Sequence, residues 1–471
     1  MTTASRRALV FIVTFVSYGL YHASRKSLSG VKSSIKADWL SNSSGHAPLF
    51  QNEADAKHFL GSLDAIFMAA YAAALFFWGW LGDRLNPKLV VAAGMVGSAI
   101  TLTLFGTIPK WLNFYHVPYY IITYIAFGLV QACGWPSEIA IMANWFGKGN
   151  RGFVMGVWAA CQPVGNIFGS IFTAMVLPLG YEYTFLLNSV LIAVGAIVVV
   201  TAIDSSPEDG EHHEPGVEAN RIRLLRRSSR WESRISEPHH NFHGEPISLF
   251  KAVLLPGVLA YCICNACLKL VNYAFFFWLP LYLTDAYNWE ESQADQLSIW
   301  YDFGGIIGSV LGGYITDKMG KRSPLIVAML VCSIGCLYFY AHVGPYMFWN
   351  ALVMTTVGVT VSGPYNLIVG SISIDLGSQP ALAGNTQAMS TVSGLLDGTG
   401  SAGSAIGQLL IPIIQDDLGW KAVFYVFMLL NGFAILAILK RCIIDLKSLR
   451  KMRSGEESPL LNDQGVGEHE D

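Results

Sequence analysis

Apolar residues in this chain gather into long runs separated by short polar turns. Each run approaches the roughly 20 residues that carry an α-helix across a bilayer. Twelve runs read as spans, near 8–28, 59–81, 89–108, 119–142, 152–177 and 184–203, then 252–283, 296–316, 324–342, 346–374, 382–414 and 420–441. A polar stretch from Asp204 to Ile247 divides them six and six. The ten-residue alternation of membrane strands is absent, which argues against a barrel. The pattern predicts an all-α polytopic membrane protein. Its N-terminal six-helix bundle covers 1–203, a disordered central loop 204–247, a C-terminal six-helix bundle 248–441 and a tail 442–471.

Composition supports that class. Of the 471 residues, 53% are hydrophobic and 13% charged, against about 25% charged in soluble domains. Mean hydropathy is +0.43. Basic residues then orient the spans. Arg84 and Lys88, Lys148 and Arg151, Lys318, Lys321 and Arg322 sit in short loops of one side, as do the arginines between Arg221 and Arg234. Arg6, Arg7 and the stretch from Lys440 to Arg453 join them, so both termini are expected in the cytoplasm. Lys32, Lys36 and Lys57 run against the rule in the first external loop. That loop also carries the sequon Asn42-Ser-Ser, on the side where glycosylation would act. The first run is too long for a cleavable signal peptide and lacks a small-residue cleavage site. Cys262, Cys264 and Cys267 have no histidine or carboxylate support, so no disulfide, metal or cofactor is expected. No nucleophile–base pair appears in the soluble segments, so an enzyme is not expected. The tail Glu456-Glu-Ser-Pro-Leu460-Leu461 has the form of an acidic dileucine sorting signal. It predicts a lysosomal or late-endosomal membrane, with the endoplasmic reticulum as the alternative.

Two landmarks recur at matching offsets. Gly79-Trp-Leu-Gly-Asp83-Arg84 follows the second run, and Gly313-Tyr-Ile-Thr-Asp317-Lys318 follows the eighth. Gly134-Trp-Pro136 in the fourth run answers Ser362-Gly363-Pro364 in the tenth. The aspartates lie 234 positions apart and the prolines 228, which indicates a duplicated six-helix unit. Glycines spaced four apart, such as Gly304, Gly308 and Gly312, predict close helix packing. One charge stands out inside a run. Arg25, in Tyr18-Gly-Leu-Tyr-His-Ala-Ser-Arg25-Lys26, would cost about 2.5–3.5 kcal/mol at a bilayer centre. It reads as a cavity ligand for an anion or as a snorkelling flank. Counting from Ala8 puts it near the far end of its span, and a tilted helix continuing to Val31 would set it deeper.

The paired Asp-Arg and Asp-Lys loops resemble the signature loop of the major facilitator superfamily. Gly134-Trp-Pro-Ser-Glu and Asn144-Trp-Phe-Gly-Lys148-Gly-Asn-Arg151, with Tyr18 to Lys26, resemble its organophosphate:phosphate antiporters. Cys267 to Leu283 and Leu297 to Gly308 are similar to the sugar phosphate exchangers within that family. The resemblance implies a major facilitator fold with 12 transmembrane helices in two pseudo-symmetric bundles. It also implies exchange of phosphate for a sugar phosphate or related organophosphate. Arg25 matches one of the family's two phosphate-gripping arginines, and Tyr18 and Tyr71 match aromatic cavity residues. Asn272 stands where the second arginine would be, with Lys269 one turn earlier, and Gln162 replaces a cavity histidine. Asp83, Arg84, Asp317 and Lys318 take the gating positions. Lys269 reads as a ligand or as the ion-pair partner of Asp302 or Asp64. The expected partners are phosphate, a small organophosphate and the bilayer, with no nucleic acid; an accessory membrane subunit is left open. Rival readings are a proton- or cation-coupled anion symporter using Asp64 or Asp302, and a non-transporting membrane partner.

Overall fold

The computed structural model describes residues 3–42, 47–82, 85–146, 154, 157–206, 249–377 and 386–454. Asp83, Arg84, Lys148, Arg151, residues 207–247 of the central loop and the dileucine segment lie outside the described residues. Within them every regular element is helical. Six segments cross in the first half: Thr3–Gly30, Glu53–Gly82, Pro87–Leu112, Val117–Met142, Cys161–Leu179 and Tyr181–Ala202. Six more cross in the second: Val258–Tyr287, Glu291–Met319, Ser323–Tyr340, Met347–Ile372, Thr386–Leu418 and Trp420–Ser454. They are called spans 1 to 12 in this order.

Nine of these are apolar enough over their length to be membrane spans on that ground alone. Spans 1, 8 and 11 fall short, and they are three of the helices that meet partners across the middle of the molecule. In each half the first span packs on the fifth and sixth, the second on the fourth, and the third on the sixth. Spans 7 to 12 repeat those pairings. Between the halves, span 2 meets span 11, span 5 meets span 8, and span 1 meets span 7. Exchanging the halves leaves that set unchanged, so the fold has the pseudo-twofold arrangement that the duplicated landmarks predict.

The landmarks mark helix irregularities. Span 4 breaks at Ala132 and Cys133 before Gly134-Trp-Pro136. Span 10 carries two wider turns, Gly358–Ser362 and Ile368–Ile372, on either side of Gly363-Pro364. Proline removes a helical donor and crowds the preceding turn, and a wider turn relieves both. Gly304 and Gly308 let span 8 touch span 10: a Cβ on Gly304 would lie 2.1 Å from the Thr355 carbonyl oxygen. Gly304→Leu is therefore expected to lower thermal stability in detergent by about 1–3 kcal/mol, as overpacking does. Gly313→Ala, where an added Cβ meets nothing within 4 Å, is the control that should melt like the native protein.

Three elements differ from the sequence reading. Span 7 starts at Val258 and not at 252, because Pro256 and the left-handed Gly257 (φ +89°) separate it from the short helix Leu249–Val253. Span 12 continues as helix past its last apolar residues to Ser454. Lysine, arginine and leucine are good helix formers, and basic residues suit a helix C-terminus. The stretch after span 1 is not a plain loop, since Lys32–Leu40 forms a short helix.

That short helix and the start of span 2 carry the lysines that defy the charge rule, and each finds an acid. Lys32 donates to Asp64 of span 2 at 2.5 Å, and both side chains are fully buried. Lys36 pairs with Glu53 at 2.7 Å and reaches Asp285 at 3.6 Å. Lys57 lies 3.3 Å from Asp285 and 3.7 Å from Asp416. Asp285 and Asp416 belong to the other half, so these pairs tie the two bundles at the face opposite the termini. Ser33 and Ser34 add backbone donors to Glu291, and the hydroxyl of Ser34 also donates to it.

Candidate functional site

Arg25 lies on the face of span 1 that turns toward spans 2 and 4. Its Nε donates to Gln131 Oε1 at 2.7 Å, and Gln131 Nε2 donates in turn to Ser24 and Ser98. The guanidinium carbon stands 4.8 Å from the centre of the Tyr71 ring and 6.0 Å from that of Tyr18. Gln131 is half-way along span 4, and Ser98 and Tyr71 are near the middles of spans 3 and 2. Arg25 is therefore level with the middles of spans 2, 3 and 4, the deeper of the two places that the sequence allows. The chain does not leave the bundle where its apolar run ends: the helix continues to Gly30, and the short helix Lys32–Leu40 follows it. The snorkelling reading falls, for Arg25 is 2% exposed.

The guanidinium keeps unused donors. Nη1 meets His22 Nε2 at 3.4 Å, and among the described residues no acceptor meets the buried Nη2. No carboxylate among them pairs with Arg25. A buried cation without an anion is costly, and an anionic ligand relieves that cost.

Lys269 approaches from the other half. Its Nζ lies 5.9 Å from the centre of the Tyr71 ring, so one aromatic ring faces both cations. Aromatic faces attract cations without supplying a counter-charge. Lys269 differs from the sequence reading in its partner. It donates to Asp397 of span 11 at 2.7 Å and to Ser401 at 2.8 Å. Asp64 is held by Lys32, and Asp302 accepts from Asn166, so neither pairs with Lys269.

A small cavity lies between the halves, its wall running from His22, Gln162 and Asn166 across to Asn272, Asp302 and Asn366. Gln162 and Asn272 both line it. Arg25, Lys269, Tyr18 and Tyr71 are not part of its wall: Arg25 adjoins it through His22, Tyr71 faces both cations, and Tyr18 packs on Trp135 and Trp158. Tyr301 donates its hydroxyl to Asn272 Oδ1 at 2.6 Å. His22, Gln131 and Asn166 escaped the sequence reading. Their signals were present: His22 is one helical turn before Arg25, Asn166 one turn after Gln162, and Gln131 is an isolated amide in an apolar run.

The gating positions are partly visible. Asp317 accepts from Arg322 Nη1 at 3.0 Å, and Arg322 Nε reaches Asp375 at 2.6 Å, joining the ends of spans 8, 9 and 10. Lys318 is exposed over the Tyr314 ring. Asn42 is exposed on the face opposite the termini.

Comparison with known proteins adds the lineage. A family profile for the Major Facilitator Superfamily matches residues 14–392. The chain is 43% identical to sugar phosphate exchanger 3 of Bos taurus, over 97% of this chain and 96% of that protein. It is 34% identical to putative glycerol-3-phosphate transporter 1 of Arabidopsis thaliana, over 91% and 86%. Among solved structures it is similar to a D-xylose–proton symporter, with a TM-score of 0.65 at 12% identity, covering 92% and 97%. A bacterial homolog of the human lysosomal transporter Spinster gives 0.64 at 13%, covering 93% and 98%. These two likenesses bear on the fold alone.

Proposed function

The chain belongs to the Major Facilitator Superfamily, a family of multi-pass membrane transporters and not enzymes, and we propose that it exchanges inorganic phosphate for a sugar phosphate or related small organophosphate. The observation that carries this reading is a mid-depth arginine with unused donors and no acid partner, facing a lysine of the other half across one tyrosine ring. A buried arginine without a counter-charge is costly to close upon when dry, and a phosphate dianion removes that cost. Loaded protein therefore crosses between states and empty protein does not, which is exchange. The names of the relatives support an organophosphate as cargo.

Taken as residues 1–203 and 248–441, the two halves are the bodies that rock. The lysine–acid ties at the far face close one side, and the Asp317–Arg322–Asp375 linkage, with Asp83 and Arg84, belongs to the gate on the other. Both termini lie in the cytoplasm and the far face is lumenal, in a lysosomal or late-endosomal membrane or that of the endoplasmic reticulum. Exposed Asn42 then carries a glycan. Asn42→Gln is expected to remove the mass shift that a glycosidase produces on the native protein in gels.

The central test is reconstitution in liposomes loaded with labelled phosphate. External organophosphate should drive phosphate out, while its omission should not. Efflux unresponsive to every organophosphate would sink exchange. Uptake driven by a pH gradient without internal phosphate would point to the symporter.

A further inference from the structure

One wall of the cavity has an uneven charge that exchange alone does not require. Asp302 of span 8 is its carboxylate. Asn166 donates its amide Nδ2 to Asp302 Oδ1 at 2.8 Å, which leaves Asn166 Oδ1 as an acceptor. His22 Nδ1 lies 3.0 Å from that oxygen, so Nδ1 carries the proton and Nε2 offers its lone pair to Arg25 Nη1. Every donor in the series Arg25, His22, Asn166, Asp302 therefore points the same way, from the cation to the carboxylate. The series runs across spans 1, 5 and 8, and it fixes Asp302 at a set distance from Arg25.

The rest of the wall is neutral and mixed in hydrogen-bonding character. Asn272 gives its oxygen to Tyr301 and keeps its amide protons for the cavity. Asn366 spends its Nδ2 on Ser309 and keeps its oxygen. The second oxygen of Asp302 is an acceptor as well. Donors and acceptors set side by side suit hydroxyl groups, each of which both donates and accepts. A second anion would meet the Asp302 carboxylate in a largely dehydrated place, where like charges repel strongly.

We infer that this wall takes the organic part of the cargo and filters it by charge: phosphoesters of polyols are admitted, and phosphoesters bearing a second acid are turned away by Asp302. The inference rests on the phosphate-exchange reading and narrows its cargo. Asn166 and His22 are positioning residues in this scheme, because they act through Asp302 and Arg25.

Glycerol 3-phosphate and 3-phosphoglycerate make the test, since they differ at one carbon, a hydroxymethyl against a carboxylate. In phosphate-loaded liposomes the native protein should release phosphate about tenfold faster for the alcohol, a difference of about 1.4 kcal/mol. Asp302→Asn should shrink that ratio to about twofold or less. The readout is a ratio within one preparation, so a lower yield of folded protein cancels. If Asp302→Asn yields none, Asn272→Asp serves instead, and its added carboxylate should widen the ratio. Equal rates in the native protein would overturn the filter and leave exchange standing. An unchanged ratio in the variant would likewise assign selection to other residues. Silence with both compounds and with every other organophosphate would overturn exchange and the filter together.

Discussion

Arg25→Ala is expected to abolish organophosphate-driven phosphate efflux, lowering it by about 30-fold or more, while the protein still inserts and purifies as a single species. Truncating one partner of a buried, hydrogen-bonded charge pair costs about 2–5 kcal/mol, and in this site the missing partner is the cargo's phosphate. Gln131 would lose one donor but keep its bonds to Ser24 and Ser98, so the surrounding helices stay in register. Arg25→Lys should fall between, because an ammonium keeps the charge and loses the fork that engages two phosphate oxygens at once. Labelled phosphate flux in liposomes, set against melting temperature in detergent, separates loss of binding from loss of fold. Efflux by Arg25→Ala at the native rate would remove Arg25 from the site.

The second large effect concerns Lys269 and Asp397, the buried pair linking spans 7 and 11. Lys269→Ala leaves a carboxylate without its cation in the bundle interior, which costs about 3–5 kcal/mol when one partner of a buried pair is removed. The melting temperature should drop sharply. Removing both charges, in Lys269→Ala with Asp397→Ala, should recover most of the lost stability, since no unpaired charge remains. Exchange should not recover, because the C-terminal half then offers the phosphate no cation. A double variant that transports at the native rate would make the pair purely structural. One that transports nothing and still melts low would show that the pair, not its unmatched member, holds spans 7 and 11 together.

Much of this arrangement was legible in the chain. The twelve apolar runs and their six-and-six division follow from segment length, because a bilayer permits few alternatives to the spanning helix. The duplicated Asp-containing loops and Pro-containing spans announced two related halves, and the packing of spans 1–6 is repeated by spans 7–12. Arg25 was conspicuous for its cost in an apolar run. Its depth was not, because hydropathy marks where apolar residues begin and says nothing of helix beyond them. The partner of Lys269 was missed for a related reason: Asp302, Asp64 and Asp397 all stand in spans, and only the helix rotations decide which one faces the lysine. Uncharged members of the site were harder still. Gln131 and Asn166 look like incidental amides until the fold sets them against Arg25 and Asp302.

The far-face ties also bear on the order in which the protein is made. Lys36 and Lys57 are synthesised early, and their partners Asp285 and Asp416 lie more than two hundred and more than three hundred residues later. At about 5–20 residues per second, Asp416 follows Lys57 by tens of seconds. Throughout that interval the first half has bundle-facing lysines that lack their final counter-charges. Its last step of folding waits on the arrival of spans 7 and 11, so the first half produced alone should be an unfinished object and the ribosome's progress through the second half its timer.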